Sequence, residues 1–351
     1  MEDLFKIDKI DGKGFGWIAL QDIKGGTLIY EEKPQFTFCG DRNPLDVMNS
    51  FYAMSENDQK EFLELHNKYL DLKFLPDQSQ QHYFDWEKVT ESFVRKRQAE
   101  GHVPIDSNLV MKIICILNTN QFGNANDFVV GIKVSRLNHS CIPNSHRYEE
   151  EGEMGKSKVR ATEKILKGQE ITIDYAMFSM NNVKERQKIC HEFGFICTCE
   201  LCQEEEIKND NEIYEKFQNL KEETENAYRI RDIAAPLLNF CDSENLDQLE
   251  KALASQKQMF NLAKNKKAHK YFMHDLLAKS FDYALNGWIL ANFLNNYGKR
   301  DYFKEEIVKL SKVGYQIAKL VFGKEGALTK DWKERNEDID NWFKKWLAMQ
   351  Q

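Results

Sequence analysis

Short runs of alternating hydrophobic and polar residues open the chain. The runs FKIDKI, WIAL, TLIYEE and QFTF are separated by the turn signals DGKGFG and KGG. Alternation interrupted by glycine-rich turns is typical of short strands. The same texture returns over residues 127–175, in FVVGIKV, HRYEE, KVRATE and EITIDYA. The pattern therefore predicts small antiparallel sheets over residues 5–38 and again over 127–175.

Between these two regions the hydrophobic spacing changes to three and four residues. The recurring positions are Phe51, Met54, Phe62, Leu65, Tyr69 and Leu72. Because this period is typical of amphipathic helices, we expect an inserted helical segment from about Pro44 to Asn118. From about Glu204 to the end the pattern is again helical, and the polar run QEEEIKNDNE predicts a domain boundary there. No period of roughly 20–50 residues repeats, which argues against a solenoid.

Length and composition indicate the broad class of protein. A chain of 351 residues with 42% hydrophobic and 30% charged residues is typical of a globular protein with more than one domain. No apolar run reaches the roughly 18 residues of a membrane span, and the acidic start MEDLFKIDKI does not resemble a secretory signal. We therefore expect a cytoplasmic and/or nuclear protein that does not contact a membrane.

The net charge of −7 limits the choice of partner. Binding to the phosphate backbone of nucleic acid requires a concentrated basic surface, so direct nucleic-acid binding is not expected. A protein or peptide with a basic segment is the more natural partner of an acidic chain.

The glycine-rich turn at residues 12–19 invites comparison with dinucleotide-binding loops. Its sequence GKGFGWIA fits the relaxed fingerprint G-x-G-x-x-G/A through Gly14, Gly16 and Ala19. That fingerprint requires a helix directly after the glycines, whereas a further Gly-Gly pair follows here too soon for a helix to form. Two interpretations remain, a turn whose bare backbone lets a ligand lie close and an ordinary turn between strands.

Three cysteines are crowded into the hexapeptide CTCELC, as Cys197, Cys199 and Cys202. They are too close for separate disulfides and suit one soft cation with a fourth ligand from elsewhere, for which zinc is the usual metal. A redox pair in Cys199-x-x-Cys202 is the alternative, although a thioredoxin-like strand-helix context is absent. The candidates for the fourth ligand are Cys141, in a polar turn, and Cys190, at a helical position that suggests burial.

The polar turn is RLNHSCIPNS at residues 136–145, which we expect to be a loop after a strand. A Cys-His nucleophilic pair within it is disfavoured because sequence neighbours seldom reach a productive geometry, and no G-x-S-x-G elbow is present. HEFGF at 191–195 lacks the second histidine of a zincin motif. Tyr175 ends the run EITIDYA, and on its own it is a half-buried sheet tyrosine with its hydroxyl on a backbone carbonyl.

In order along the chain, GKGFG, Asn120-x-Phe122, RLNHSCIPN, GQEITIDY and FGFICTCELC resemble the SET domain of protein-lysine methyltransferases, and most closely its SMYD-type branch. The resemblance covers about residues 5–203. It implies an α+β protein with a SET-type fold of small antiparallel β-sheets, a helical insertion, a zinc-bound post-SET segment and an all-α C-terminal domain. The implied domains are a split SET domain at 1–40 and 110–190, the helical insertion at 41–109, the post-SET zinc segment at 191–203 and the C-terminal domain at 204–351.

The resemblance also implies the site residues. The residues that would bind S-adenosyl-L-methionine are Lys13, Gly14, Phe15, Gly16, Asn120, Asn138, His139, Tyr175 and Phe195, the last against the adenine. Tyr175 and Phe193 would form the catalytic pair, lining a narrow channel for the substrate lysine. One structural Zn²⁺ per chain would be bound by Cys141, Cys197, Cys199 and Cys202.

Two departures from the family pattern bear on function. SMYD-type proteins carry a cysteine-rich MYND zinc module in the first half, whereas residues 41–109 here contain no cysteine. Functions of a MYND module are therefore not expected. Phe193 stands where the family usually has a channel-lining tyrosine, which leaves open how many methyl groups are transferred.

The implied function is S-adenosylmethionine-dependent methylation of a lysine in a histone or non-histone protein, by a chain that we expect to be a monomer. Methyl transfer from a sulfonium to an amine is an in-line displacement, for which positioning supplies most of the catalysis. The alternative is a catalytically silent SET-like scaffold that binds partners through its helical domain. Tyr175 and the complete glycine-rich turn favour the enzyme.

Overall fold

The computed structural model describes residues 3–39, 44–70, 75–102, 104–123, 127–149, 156–175, 180–208, 212–233, 243–266, 268 and 270–349. This described part contains ten strands in three small sheets and twelve α-helices. The strands occupy the two regions that the alternating pattern predicted, except for a two-residue strand at Phe122–Gly123 just before the second region. The helices fill the insertion between these regions and the C-terminal part. The predicted order of elements is confirmed.

The strands are short and form sheets with the orders β1-β2-β10-β7, β3-β9-β8 and β4-β6-β5. A shared core around Trp17, Val159 and Ile171 joins the first two sheets. The strand bounds are β1 Phe5–Ile10, β2 Gly14–Ala19, β3 Leu28–Glu32, β4 Phe36–Cys39, β5 Phe122–Gly123, β6 Asp127–Val130, β7 Asn138–His139, β8 Ser145–Tyr148, β9 Ser157–Ala161 and β10 Glu170–Ile173.

The first sheet places the glycine-rich turn beside the polar turn. β1 and β2 form an antiparallel hairpin in which Ile10 lies opposite Gly14. β10 pairs with β2 on one side and, in parallel register, with β7 on the other, where Thr172 lies opposite Asn138. The structure thus differs from the loop predicted over residues 136–145, because the backbone at β7 finds hydrogen-bond partners along the edge of β10.

Strand β6 ends at Val130, although the run FVVGIKV predicted a strand as far as Val134. The cause is the buried carboxylate of Glu32, which accepts hydrogen bonds from the backbone N–H groups of Lys133 (3.1 Å) and Val134 (2.9 Å). These amides are therefore satisfied by a side chain and not by a neighbouring strand. The chain leaves the sheet in one 3-10 turn and enters the polar turn.

The predicted helical insertion is present. The hydrophobic positions of this segment pack as their spacing predicted. Phe51, Phe62 and Leu65 are buried against Ile113, which lies in the helix at the end of the segment. Leu72 lies outside the described residues. The helices between the two strand regions are α1 Pro44–Tyr52, α2 Glu56–Leu63, a 3-10 turn at Lys68–Leu70, α3 Asp77–Ala99 and α4 Ser107–Asn120, the last of which leads from the insertion back to the strands.

In the described residues, eight helices follow strand β10, and α8, α9 and α10 pack around Leu253, Phe281 and Phe303. The boundary expected near residue 204 lies inside α6, because the buried ion pair of Arg186 and Glu205 fixes that helix to α5. No helix in the described ranges is both long and apolar enough to cross a membrane. The bounds are α5 Val183–Glu192, α6 Glu200–Lys208, α7 Glu212–Ile233, α8 Ser243–Asn265, α9 Lys270–Phe293, α10 Tyr297–Val321, α11 Ala327–Glu337 and α12 Ile339–Met349.

His274 of α9 is buried in the C-terminal core. Its Nε2 accepts a hydrogen bond from the Trp332 indole N–H at 2.8 Å, which requires a neutral ring. Burial lowers the pKa of His274 from 6.5 to about 4. Between these two pH values the unfolded state binds a proton that the folded state does not. The stability linked to this group is therefore complete above pH 6.5 and is lost as the pH falls towards 4.

We expect this linkage to lower the free energy of unfolding by about 2 kcal/mol between pH 7.5 and pH 5. His274→Gln retains an acceptor for Trp332 but does not titrate, so the variant should lose correspondingly less stability over the same interval. Urea unfolding of both proteins at the two pH values measures the difference. An equal loss in the wild type and the variant would show that His274 does not titrate as described.

Candidate active site

One cleft of about 810 Å³ gathers most of the predicted site residues. It lies where the glycine-rich turn, the end of α4, the polar turn and the segment after α5 meet. The predicted residues that line it are Lys13, Gly14, Phe15, Asn120, Asn138, His139, Tyr175, Phe193, Phe195, Cys197 and Cys199. The fold therefore brings together motifs that lie far apart in the sequence. Gly16, Cys141 and Cys202 are not among the residues that line the cleft.

Gly14 and Gly16 play different parts in the glycine-rich turn. Gly14 lines the cleft and has a φ of +76°, and a Cβ there would meet no atom within 4 Å. A Cβ at Gly16 would instead lie 2.6 Å from Asn138 Nδ2 and 2.3 Å from Ile10 Cδ1. The structure thus gives Gly16 a packing role, because Asn138 and Ile10 occupy the space beside it. The contact of Gly16 with the cofactor stays a prediction.

The carboxylate of Glu170 joins the hairpin to the polar turn. It accepts hydrogen bonds from Lys13 Nζ at 2.7 Å and from Asn138 Nδ2 at 2.9 Å. Asn138 Nδ2 also lies 3.2 Å from the carbonyl oxygen of Phe15, to which it donates. The side chains of Lys13 and Asn138 therefore hold this wall of the cleft together. Glu170 lies in the run GQEITIDY, but it was not predicted as a site residue.

Asn120 fixes the end of α4 at the cleft. Its Nδ2 donates to the carbonyl oxygen of His66 at 2.8 Å and to that of Ile116 at 2.7 Å. Both amide hydrogens are used in these bonds, so a contact with a ligand falls to the side-chain oxygen. Asn120 is thus a structural tie between the insertion and the cleft as well as a lining residue.

His139 stands between the polar turn and Tyr175. Its Nδ1 accepts a hydrogen bond from the Tyr175 backbone N–H at 3.2 Å, and its Nε2 lies 3.3 Å from Cys141 Sγ. The ring is almost inaccessible to solvent, and burial lowers its pKa, although Asp174 at 3.8 Å acts in the opposite direction. A neutral ring with its proton on Nε2 satisfies both contacts.

Tyr175 lies two residues beyond the end of β10. Its hydroxyl donates a hydrogen bond of 2.7 Å to the carbonyl oxygen of Leu137, as the plain interpretation of a sheet tyrosine predicted. Its ring centroid is 5.4 Å from that of Phe193 and 6.0 Å from that of Phe195. Burial raises the pKa of Tyr175 above its ordinary value. The hydroxyl is therefore neutral and held in one direction, at the centre of an aromatic cluster.

The thiols of Cys141, Cys197, Cys199 and Cys202 meet beside the cleft. Their sulfur atoms all lie within 4.8 Å of one another, and Cys141 Sγ is 3.9 Å from Cys197 Sγ and 3.7 Å from Cys202 Sγ. A tetrahedral Zn²⁺ with Zn–S bonds of about 2.3 Å has sulfur atoms roughly 3.8 Å apart. The spacing and chemistry of these donors fit the predicted ion, which would join the polar turn to the segment after α5.

Cys190, the other candidate ligand, lies outside this set of four. It is buried in α5, as its helical spacing predicted. One ligand atom each of Cys190, His139 and Cys197 also lie within 4.8 Å of one another. Because both ring nitrogens of His139 already have contacts with Tyr175 and Cys141, the four thiols are the better donor set.

Comparison with known proteins bears directly on this arrangement. Residues 14–176 match the model of the SET domain family. This region is a SET domain. The match includes the hairpin glycines, the polar turn and Tyr175, so the resemblance found in the motifs is confirmed for this part of the chain.

Several relatives share the SET domain. A SET domain-containing protein of Acanthamoeba polyphaga mimivirus is 27% identical over 60% of this chain and 81% of its own length. The histone-lysine N-methyltransferase set5 of Schizosaccharomyces pombe is 27% identical over 59% of this chain, which spans about half, 52%, of that protein. SmydA-8 of Drosophila melanogaster is 32% identical over 29% of this chain and 25% of that protein. A solved structure of Rubisco LSMT bound to AdoMet shows a weak likeness, with 13% identity and a TM-score of 0.40 over 97% of this chain and 89% of that chain.

Arg186 packs against the thiols at the C-terminal side of the SET domain and is paired with Glu205. Neither residue was predicted. The buried Arg186 guanidinium lies 2.7 Å from Glu205 Oε2 and 3.7 Å from Cys202 Sγ. Glu205 also accepts from the Tyr214 hydroxyl, and Lys266 Nζ lies 3.6 Å from it. A buried cation beside four thiols would offset the negative charge of a zinc-thiolate group. The sequence signal that could have identified Arg186 is a charged residue at a helical position whose spacing predicts burial.

Two arginines of the cleft were also missed. The guanidinium of Arg136 lies 5.0 Å from the ring centroid of Phe15, and that of Arg147 lies 4.5 Å from that of Phe122. Burial lowers the pKa of both arginines. A cation over an aromatic ring is favourable, but ring and cation come here from separate segments of the SET domain. No local motif could have indicated either pair.

We expect one Zn²⁺ per chain in protein purified without chelators. Cys141→Ala removes one of the four thiolates and should weaken zinc binding by roughly 10²-fold or more, since even residues that only orient metal ligands can contribute that much. Cys190→Ala removes an equally buried thiol outside the set and should retain the ion. Competition with a chromogenic chelator measures both affinities. Zinc retained by Cys141→Ala and lost from Cys190→Ala would contradict this ligand set.

Proposed function

We propose that this chain is an S-adenosylmethionine-dependent protein-lysine N-methyltransferase. The observation that supports the proposal most is the convergence of the glycine-rich turn, Asn138–His139, Tyr175, Phe193 and Phe195 in one cleft. The name of the S. pombe relative, a histone-lysine N-methyltransferase, favours the same activity. A histone or another protein with an accessible lysine is the substrate class that fits this function.

The cleft offers a suitable surface for the cofactor, which supplies a methyl group on a positively charged sulfur when it is bound. The bare backbone at Gly14 leaves open space for a ligand to lie close to the hairpin. The ring of Phe195 provides an apolar face for an adenine, and the side-chain oxygen of Asn120 can accept a hydrogen bond. Lys13 and Asn138 keep this wall in place through Glu170.

Tyr175 is the residue to which we assign the catalytic contact. Its hydroxyl hydrogen is directed at the Leu137 carbonyl, so its oxygen lone pairs are left to accept a hydrogen bond from the substrate amine. Because burial raises the pKa of Tyr175, the hydroxyl stays protonated at neutral pH and does not act as a base. Its role is to orient the amine and to place partial negative charge near the sulfonium.

Phe193 would form the opposite wall of the lysine channel, with its ring centroid 5.4 Å from that of Tyr175. An apolar channel disfavours the charged form of lysine and lowers its pKa. The ammonium therefore loses its proton to water before the nitrogen attacks the methyl carbon. Carbon–sulfur cleavage accompanies carbon–nitrogen bond formation, and positioning by the two rings supplies most of the catalysis.

We assign a structural role to zinc. Bound by the four thiols, the ion would hold the segment that carries Phe193 and Phe195 against the polar turn that carries Asn138 and His139. It takes no part in methyl transfer, because the four thiols complete its tetrahedral coordination.

Incubation with S-adenosylmethionine labelled in its methyl group tests the proposal. We expect label to enter lysine side chains when the protein is mixed with histones or with fractionated cell proteins, and no label with heat-denatured protein. Calorimetric binding of the cofactor without transfer to any fraction would contradict the proposal and favour a silent scaffold.

Gly14→Ala should weaken cofactor binding by about tenfold or more, or about 1.4 kcal/mol, because the added Cβ enters the space of the ligand. Gly168→Ala is the matched control. Gly168 has a similar φ of +83° and open space around its Cβ position, but it lies away from the cleft. The two variants should lose similar stability, and only Gly14→Ala should lose affinity in calorimetry. Equal affinities would place the cofactor elsewhere.

Tyr175→Phe should lower kcat by roughly 10²-fold or more while cofactor affinity changes little, because the lost oxygen acts on the reacting groups. Tyr148→Phe is the matched control, since the Tyr148 hydroxyl is also buried and donates to a backbone carbonyl, that of Phe322, at 3.2 Å. Steady-state kinetics and calorimetry separate the two effects. If both variants keep the wild-type kcat, Tyr175 is not catalytic.

A further inference from the structure

The helical insertion reaches the cleft through residues 64–68. Glu64, Leu65 and His66 line the cleft directly. The backbone N–H of Lys68 donates to Thr119 Oγ1 at 3.3 Å, near the end of α4. Asn120 Nδ2 donates to the carbonyl oxygen of His66 at 2.8 Å. This part of the insertion is therefore fixed to α4, one of the walls of the cleft.

The side chain of Lys68 crosses from the insertion to the end of α5. Its Nζ donates a hydrogen bond of 2.7 Å to the carbonyl oxygen of Glu192, the last residue of that helix. The final carbonyls of a helix have no partner within the helix and carry partial negative charge, which suits an ammonium group. The contact joins two elements that are 124 residues apart in the sequence.

The stem of the same lysine packs against the segment that follows α5. Gly194 adopts a φ of +84°, and a Cβ there would lie 3.0 Å from Lys68 Cβ. The residues on either side of this glycine are Phe193 and Phe195, which both line the cleft. The ring centroid of Phe195 is 5.8 Å from that of His139. The placement of both phenylalanines thus depends on a surface that the insertion supplies.

We propose that Lys68 is a positioning residue for the active site, and that the insertion holds the Phe193–Phe195 segment in place through it. This inference rests on the proposed function for its catalytic consequence. Lys68 acts on the site through the two phenylalanines. Its ammonium group fixes the end of the helix that precedes them, and its stem packs against the glycine between them. The helical insertion is accordingly part of the active-site framework.

Three variants test this inference. Lys68→Met keeps the stem and removes the charge and the hydrogen bond to the carbonyl oxygen of Glu192. Lys68→Arg keeps a cationic donor and is the rescue variant. Lys60→Met removes an exposed lysine of α2 in the same insertion and is the matched control. Hydrogen exchange of residues 192–196, cofactor affinity and kcat are measured for each.

Loss of one charge-assisted hydrogen bond should speed amide exchange at residues 192–196 by roughly tenfold in Lys68→Met. We expect kcat to fall by a similar factor and the cofactor Kd to rise a few-fold, since small displacements of positioning groups weaken catalysis strongly. Lys68→Arg should restore most of each quantity, and Lys60→Met should behave as the wild type. A general loss of folded protein would lower the active fraction without changing Kd.

Unchanged exchange and kinetics in Lys68→Met, or equal changes in Lys60→Met, would overturn the inference. The exchange measurement needs no substrate, so it separates this inference from the proposed function. A wild-type protein without methyl transfer, combined with faster exchange in Lys68→Met alone, would support the positioning contact and count against the proposed function.

Discussion

The two contacts of the His139 ring connect the parts of the site. Nδ1 accepts from the backbone N–H of Tyr175, and Nε2 faces Cys141 Sγ at 3.3 Å. Because one nitrogen must accept, the other must carry the proton, and an N–H directed at a thiolate is favourable. The His139 ring thus contacts both the proposed catalytic tyrosine and one of the thiols, and it fixes their positions relative to each other. It can do so because the parallel pairing of β7 with β10 places His139 opposite Ile173.

The thiols in turn connect the SET domain to the C-terminal helices. Arg186 of α5 contacts Cys202 Sγ and Glu205, and Glu205 contacts Tyr214 of α7. A charge buried at this depth is stable only while it is paired. The structure therefore makes the packing of α6 and α7 and the geometry of the thiols depend on the same ion pair. The insertion makes a comparable connection on the other side, through Lys68.

Much of the fold could be predicted from the sequence, because hydrophobic period and turn residues are local properties. The motif residues at the cleft could be predicted as well, since each motif is a short contiguous run. Residues that act across the fold could not. Glu32 ends β6 by accepting backbone hydrogen bonds, and Glu170 pairs with Lys13 across 157 positions. The contact of Lys68 with the end of α5 likewise joins residues that are far apart in the sequence, so no local pattern predicts it.

Gly14 and Gly16 differ in a way that the sequence does not reveal. The resemblance assigns the whole glycine-rich turn to the cofactor, and in the fold the space beside Gly16 is filled by Asn138 and Ile10. A glycine required for close packing and one required for a ligand look identical in a sequence. Only the neighbours in the fold distinguish them, as the open space at Gly14 shows.

A crystal structure of the protein with S-adenosylhomocysteine and a lysine peptide tests the central claim most directly. The account predicts the product cofactor in the cleft, with its adenine against Phe195 and its sulfur facing the Tyr175 hydroxyl. The peptide lysine should enter between Tyr175 and Phe193. A cofactor bound outside the cleft, or a lysine that approaches from a side without these two rings, would contradict it.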